Sequence, residues 1–99
     1  MKQHIGLGST IRQADNLVSC DLEGETALMS LETGEYYGLD PVGSRIWALI
    51  AQDRLVSELC ALLLEEFEVS PAQLEHHVLI FLNNLAQKNL VTVVDESAG

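Results

Sequence analysis

The sequence predicts one α+β domain, in which a three-stranded antiparallel sheet is followed by three α-helices. Two observations support this prediction. Residues 26–31 alternate between apolar and polar side chains, whereas apolar residues recur at helical spacing from about residue 40 onward. The chain has 99 residues, 47% of them hydrophobic, which is enough for one domain with its own core and too short for two. We expect the domain to span residues 1–99, with its core at about residues 9–94.

The strands are expected in the N-terminal part of the chain. Residues 9–22 alternate weakly around a turn signal at Asp15-Asn16, and residues 26–31 form a clearer half-buried strand. Residues 35–39 complete a hairpin, because the preceding connection ends in Gly34, where a positive φ is expected. The apolar residues 90–94 indicate a short last strand.

The helices have recognisable starts. Asp40 is a good N-cap and Pro41 suits the first helical position. Gly43, inside this helix, costs about 1 kcal/mol relative to Ala, which predicts the close approach of another backbone. A second helix is expected at residues 56–67. A capping box at Ser70 begins a third helix, which ends in a left-handed cap at Asn89. The outline resembles a winged helix.

Composition excludes several classes of function. The formal net charge is −10, and the five Lys and Arg residues are scattered along the chain, so nucleic acid and anionic membranes are poor partners. The sequence has neither a signal-peptide pattern nor an apolar run long enough to span a membrane. Cys20 and Cys60 fit buried thiols in a reducing compartment. We therefore expect a soluble, cytoplasmic protein.

Side chains that could carry catalysis are sparse. His76 and His77 are adjacent on a predicted helix, so they point about 100° apart and cannot chelate one ion together. Cys20 and Cys60 lack the spacing of metal ligands and have no base nearby in sequence. We therefore predict a protein that is not an enzyme, with no catalytic residue, metal or cofactor.

A binding role has better support. Residues 35–39 are expected at the edge of the sheet, and they contain none of the Lys, Pro or bulge signals that usually protect an edge. Such an edge can accept an extended peptide as an added strand. The third helix would form the far wall of the groove through Val78, Phe81 and Leu85. Core packing is the commoner role for such apolar side chains, and it also explains Tyr37 and Leu39. The negative charge would steer a basic peptide toward the protein.

The motif GEYYGLDPVGSRIW at residues 34–47 identifies a family. Weaker matches occur in the right order at Gly24-Glu25, at residues 56–59, at Phe81-Leu82 and at Leu90-Val91. In these residues the chain resembles the PqqD-like family, the peptide recognition elements of pathways that modify ribosomally synthesised peptides. It is more similar to the stand-alone leader-binding proteins of lasso peptide pathways than to the pyrroloquinoline quinone chaperone, because residues 31–34 contain no Pro.

This resemblance implies a fold of three strands and three helices that binds a precursor's leader segment as an extra strand, between the third strand and the third helix. It implies that the bound leader is presented to a maturation enzyme, which in lasso pathways is a leader peptidase. His77 stands where the family often has Asp, so the leader preference is expected to differ there. The peptide-binding residues implied by position are Glu35, Tyr36, Tyr37, Gly38 and Leu39 on the strand and His77, Val78, Phe81 and Leu85 on the helix.

Other functions remain open at this point. A winged-helix DNA regulator needs a basic recognition helix, yet Lys88 is the single Lys or Arg within residues 71–88. A small structural or dimerisation subunit would fill the groove with a second copy of itself, as a homodimer. A pyrroloquinoline quinone-type chaperone would serve a radical enzyme. The sequence names neither the precursor peptide nor the enzyme served.

Overall fold

Two three-stranded antiparallel sheets and three helices make up residues 5–94, the part of the chain that the computed structural model describes. Strands β2, β3 and β4 pair in that order, and β1 lies between β5 and β6. The elements in chain order are β1 (Thr10–Gln13), β2 (Leu17–Leu22), β3 (Glu25–Ser30), β4 (Tyr36–Leu39), α1 (Pro41–Leu49), β5 (Arg54–Leu55), α2 (Val56–Glu66), α3 (Pro71–Gln87) and β6 (Val91–Val94).

The β2–β3–β4 sheet and the three helices confirm the predicted α+β class. Both connections in this sheet use backbone conformations that favour glycine. Glu23 and Gly24 have φ values of 53° and 89° between β2 and β3, and Gly34 has a φ of 77° before β4. The turn residues therefore set the register in which Leu28 lies opposite Tyr37 and Met29 lies opposite Tyr36.

The second sheet was not predicted from the sequence. Strand β1 pairs with β6 from the other end of the described chain, with Ile11 opposite Val93, and with the two-residue strand β5. Such pairing joins segments about 80 residues apart and leaves no local signal in the sequence. The pairing joins the two ends of the described chain and holds β6, which follows α3 in sequence, against β1.

The helix ends follow the sequence signals closely. Asp40 caps α1, because its carboxylate accepts a hydrogen bond from Gly43 N at 2.7 Å. Ser70 caps α3 in the same way, through a bond from Gln73 N at 3.2 Å. Asn89 has a φ of 61°, and the next residue, Leu90, donates its N–H back to the carbonyl of Leu85 at 2.9 Å. These ends are therefore the predicted ones.

The core is one cluster to which both sheets and all three helices contribute. Ile11, Leu28, Leu59 and Leu82 are fully buried, and Trp47 is buried beside them. Each such side chain contributes about 1.5–3 kcal/mol relative to an exposed position.

None of the helices in the described range is long and apolar enough to cross a membrane.

The two cysteines differ in environment, which corrects the expectation that both are buried. Cys60 is buried on α2, but Cys20 is exposed on β2. The reason is the alternation of the strand: Cys20 lies opposite Ala27, on the face of the sheet that points away from the core.

Candidate functional site

Strand β4 is an edge of its sheet, with no strand beyond it in residues 5–94. The carbonyl of Glu35 accepts a hydrogen bond from Ser30 N at 3.0 Å, which makes these two residues a hydrogen-bonded pair. Because hydrogen-bonded and non-hydrogen-bonded pairs alternate in an antiparallel ladder, Tyr37 turns its backbone groups toward β3. Tyr36 and Gly38 therefore direct their N–H and C=O groups outward. The edge offers two donors and two acceptors to an added strand.

A serine from α1 fixes the far end of this edge. The Ser44 hydroxyl accepts a hydrogen bond from Thr26 N at 2.7 Å and donates one to the carbonyl of Leu39 at 3.2 Å. The hydroxyl thus bridges β3 and β4 at the last pair of the ladder, and it ties both strands to α1. The edge strand is held in place at the point where the helix begins.

Helix α3 lies along β4 in the opposite direction. At the C-terminal end of α3, the ammonium of Lys88 lies 5.8 Å from the centroid of the Tyr37 ring. The Tyr37 hydroxyl donates a hydrogen bond to the Glu35 carboxylate at 2.8 Å, and this bond raises the pKa of Tyr37. These two contacts hold the Tyr37 ring beside the end of α3.

At the other end of β4, α1 approaches α3 through a glycine. A Cβ atom on Gly43 would lie 3.0 Å from the ring of Phe81 and 3.1 Å from the Asp40 carboxylate. The sequence predicted the close approach of a backbone at this position, and the structure corrects this: the neighbour is an aromatic side chain of α3. Only a residue without a side chain leaves the Phe81 ring in its place.

Beside this contact an apolar cavity of about 420 Å³ opens between the start of α1 and α3. This size falls within the range of ligand pockets in proteins. Its walls come from β4's end, α1, the α2–α3 connection and α3. The lining residues are Asp40, Val42, Gly43, Ile46, Phe67, Val69, Gln73, Leu74, His77, Val78, Ile80, Phe81 and Asn84.

A second, polar cleft of about 670 Å³ lies at the opposite end of β4. It lies between the β1–β2 and β3–β4 connections and the C-terminal end of α3. Asp15, Glu32 and Glu35 line it together with Lys88 and the side chain of Tyr37. The edge strand therefore runs from a polar cleft to an apolar cavity.

The residues predicted to bind a peptide fall into three places. Glu35 and Tyr37 line the polar cleft, and Tyr36 and Gly38 present the free edge. His77, Val78 and Phe81 line the apolar cavity. Leu39 and Leu85 are 6% and 4% exposed, belong to the core and line neither opening.

Sequence reasoning did not assign much of the cavity wall. Val69 and Ile80 are 45% and 49% exposed, and both side chains line the cavity. The pair Val42 and Ile46 gives a signal in the sequence, because residues four apart lie on one face of α1. The sequence does not show that this face meets α3. The missed wall residues are Val42, Ile46, Phe67, Val69, Leu74 and Ile80.

Side chains suited to catalysis are not assembled in this region. His76 and His77 are both exposed, with ring centroids 6.3 Å apart. Burial, together with the nearby charge of Glu75, raises the pKa of the Cys60 thiol, so the reactive thiolate is disfavoured. Within residues 5–94, no three His, Cys, Asp or Glu residues are grouped so as to hold a metal ion.

A known protein family matches the part of the chain that contains the β4 edge and the apolar cavity. Residues 25–91 match the family model described as coenzyme PQQ synthesis protein D (PqqD). The chain belongs to the PqqD family. The matched range contains the β4 edge, the apolar cavity and all of α3, whereas Asp15 of the polar cleft lies outside it.

Comparison with solved structures found a similar protein that was determined with a bound peptide. It is TbiB1 in complex with the TbiA(beta) leader peptide, which is 34% identical and superposes with a TM-score of 0.76. The alignment covers 89% of this chain and 98% of that chain. A comparison with curated proteins found no match.

Proposed function

We propose that this PqqD family member binds the leader segment of a ribosomally synthesised precursor peptide and presents it to a maturation enzyme. The leader pairs as an added strand with the outward backbone groups of Tyr36 and Gly38. The observation that carries this proposal is the free edge next to an apolar cavity of ligand size. The similarity to a protein solved with a leader peptide supports it.

The residues have distinct roles in this proposal. Glu35, Tyr36, Tyr37, Gly38 and Leu39 form the strand on which the leader pairs. A leader that follows β4 past Asp40 reaches the cavity, where an apolar side chain packs against the walls. His77, Val78 and Phe81 form those walls, and Leu85 holds α3 in position from the core.

The enzyme served is proposed from the resemblance to lasso pathway proteins. It is a leader peptidase, for which the bound leader is held extended. The protein itself acts without catalysis, in the cytoplasm. A role as pyrroloquinoline quinone chaperone that serves a radical enzyme is the second candidate, and the description of the matching family favours it.

Fluorescence anisotropy tests the proposal. The probes are labelled leader peptides from a lasso precursor reading frame sought beside this gene, from TbiA(beta), and from a pyrroloquinoline quinone precursor. We expect saturable binding of the first peptide in the micromolar range or tighter. Stronger binding of the third peptide would support the chaperone role instead. A flat titration with all three peptides up to tens of micromolar would refute leader binding.

Two substitutions at Gly38 test strand addition. Gly38→Pro removes an outward N–H, a change that an edge strand tolerates, and it should weaken leader binding about tenfold, or about 1.4 kcal/mol. Gly38→Ala keeps the N–H, and its Cβ meets no atom within 4 Å, so affinity should change less than about twofold. Equal affinities for the two variants, with unchanged circular dichroism, would exclude pairing at this edge. Proline at Tyr37 is unsuitable, because that N–H faces β3.

A further inference from the structure

The outward face of the β2–β3–β4 sheet is apolar, and no other element within residues 5–94 covers it. Its register places Val18, Cys20 and Leu22 of β2 beside Met29 of β3 and Tyr36 of β4, while Leu28 and Leu39 point to the core on the other side. Val18, Leu22 and Tyr36 are 47%, 59% and 73% exposed. An antiparallel sheet normally turns polar side chains to solvent on such a face. We call these five outward residues the sheet patch.

The chain segment that carries the sheet patch holds charges of one sign. Residues 14–44, which contain all three strands, include seven acidic residues and no Lys, Arg or His. Asp21, Glu23 and Glu25 lie exposed at one end of the sheet, and Glu32 and Glu35 lie exposed at the other. A second copy of the chain would bring these two negative rims together, so like-charge repulsion disfavours self-association through this face.

The size of the sheet patch favours a transient partner. Three strands at about 4.8 Å spacing and six residues at about 3.3 Å rise give a face of roughly 14 by 20 Å, or about 300 Å². Stable dimers bury about 800 Å² on each partner. The largest apolar patch on a typical monomer measures about 300–600 Å² and is often functional, and the sheet patch lies at the lower end of this range.

We infer that the sheet patch docks a protein with apolar side chains at its centre and Lys or Arg around them, and that this protein is the maturation enzyme. The inference rests on the proposed function. Tyr36 connects the two surfaces, because its backbone belongs to the peptide-binding edge while its side chain belongs to the sheet patch. An enzyme docked there lies directly beside a peptide bound at β4.

Lysine substitutions on β2 test the inference, because β2 is two strands away from the peptide-binding edge. Val18→Lys and Leu22→Lys place a positive charge within the sheet patch, against the apolar centre of a partner whose rim is already basic. Leu55→Lys is the matched control, since Leu55 is 39% exposed but lies on β5 in the other sheet. The probe is a purified lasso-pathway leader peptidase. Its affinity for each variant is measured by biolayer interferometry without leader peptide, and its cleavage of the precursor is measured separately.

We expect Val18→Lys and Leu22→Lys to weaken peptidase binding at least tenfold and to slow cleavage, while Leu55→Lys behaves as wild type. Leader affinity by anisotropy should stay within twofold for all three variants. Unchanged peptidase binding by both β2 variants would overturn the inference. So would a wild-type dimer in sedimentation velocity that Val18→Lys or Leu22→Lys converts to a monomer, because the patch would then bind a second copy. If the wild-type protein does not bind the leader, the proposed function is refuted. The docking inference is still tested in that case, because peptidase binding is measured without leader peptide.

Discussion

Alanine at Gly43 tests the contact between α1 and α3 that shapes the apolar cavity. In an unconstrained helix, Gly→Ala stabilises by about 1 kcal/mol. Here the new Cβ would lie 3.0 Å from the Phe81 ring, so the ring must move. Overpacking of a core costs about 1–3 kcal/mol, and the lower end applies because the ring edge borders a cavity into which it can shift. The two effects offset each other, and we expect the free energy of unfolding to change by less than about 1 kcal/mol.

The same substitution should behave differently once the ring is removed. In a Phe81→Ala background the contact with the ring is gone and only the Asp40 carboxylate, 3.1 Å from the new Cβ, remains close, so Gly43→Ala should stabilise by up to about 1 kcal/mol. Urea unfolding of the four proteins of this double-mutant cycle gives the coupling energy, which we expect to be about 1 kcal/mol. Gly38→Ala serves as the control pair with Phe81→Ala, because no atom lies within 4 Å of its Cβ, and it should show no coupling.

The cycle has a clear refuting result. If Gly43→Ala stabilises equally with and without the Phe81 ring, the two residues do not touch in solution, and the cavity has another shape. The peptide-binding proposal adds a second expectation for the single variant. The displaced ring enters the cavity, so leader affinity should fall even though stability hardly changes.

Two further predictions concern stability. Ser44→Ala leaves the buried N–H of Thr26 without its acceptor, which lies at 2.7 Å in the wild type. Urea unfolding should show a free energy of unfolding lower by about 1–3 kcal/mol. A loss below about 0.5 kcal/mol would mean that water or the Leu39 carbonyl replaces the hydroxyl as acceptor. The Arg45 guanidinium lies 2.8 Å from the Glu66 carboxylate and lowers the pKa of Glu66. This ion pair therefore stabilises the fold above the unfolded-state pKa of about 4.3, and the stabilisation is lost as the pH falls through the lowered pKa of the folded state. Unfolding free energies of wild type and Glu66→Gln should therefore differ at pH 7 and converge below about pH 4, and a constant difference would contradict this sign.

The parts of the fold that local chemistry determines could be predicted from the sequence. Asp40, Ser70 and Asn89 sit at helix ends, where their side chains or their left-handed backbone satisfy groups that the helix leaves open. Gly34 has the positive φ that its turn requires. The β1–β6 pairing could not be predicted, since it depends on two segments at opposite ends of the described chain.

The same difference between local and long-range features applies to the candidate site. The edge strand was predicted because alternation and missing edge protection are local features of residues 35–39. The apolar cavity was predicted only in part, through Val78 and Phe81, because a helical stripe looks the same whether it faces the core or a cavity. Exposure distinguishes the two cases. Ile80 and Val69 are half exposed at the mouth of the cavity, and no pattern in the sequence indicates this.

The relative sizes of the interactions assign affinity and selectivity to different parts of the site. Two donors and two acceptors on the edge give at most four hydrogen bonds, worth about 2–6 kcal/mol in total. Ordering about four residues of a disordered leader costs about 4–8 kcal/mol, so pairing with Tyr36 and Gly38 does not hold the peptide alone. Each large apolar side chain buried in the cavity adds about 1.5–3 kcal/mol, so the cavity must supply the net affinity. Selectivity among leaders should therefore depend on the cavity walls around Val78 and Phe81, whereas Gly38→Pro should weaken every leader by a similar factor.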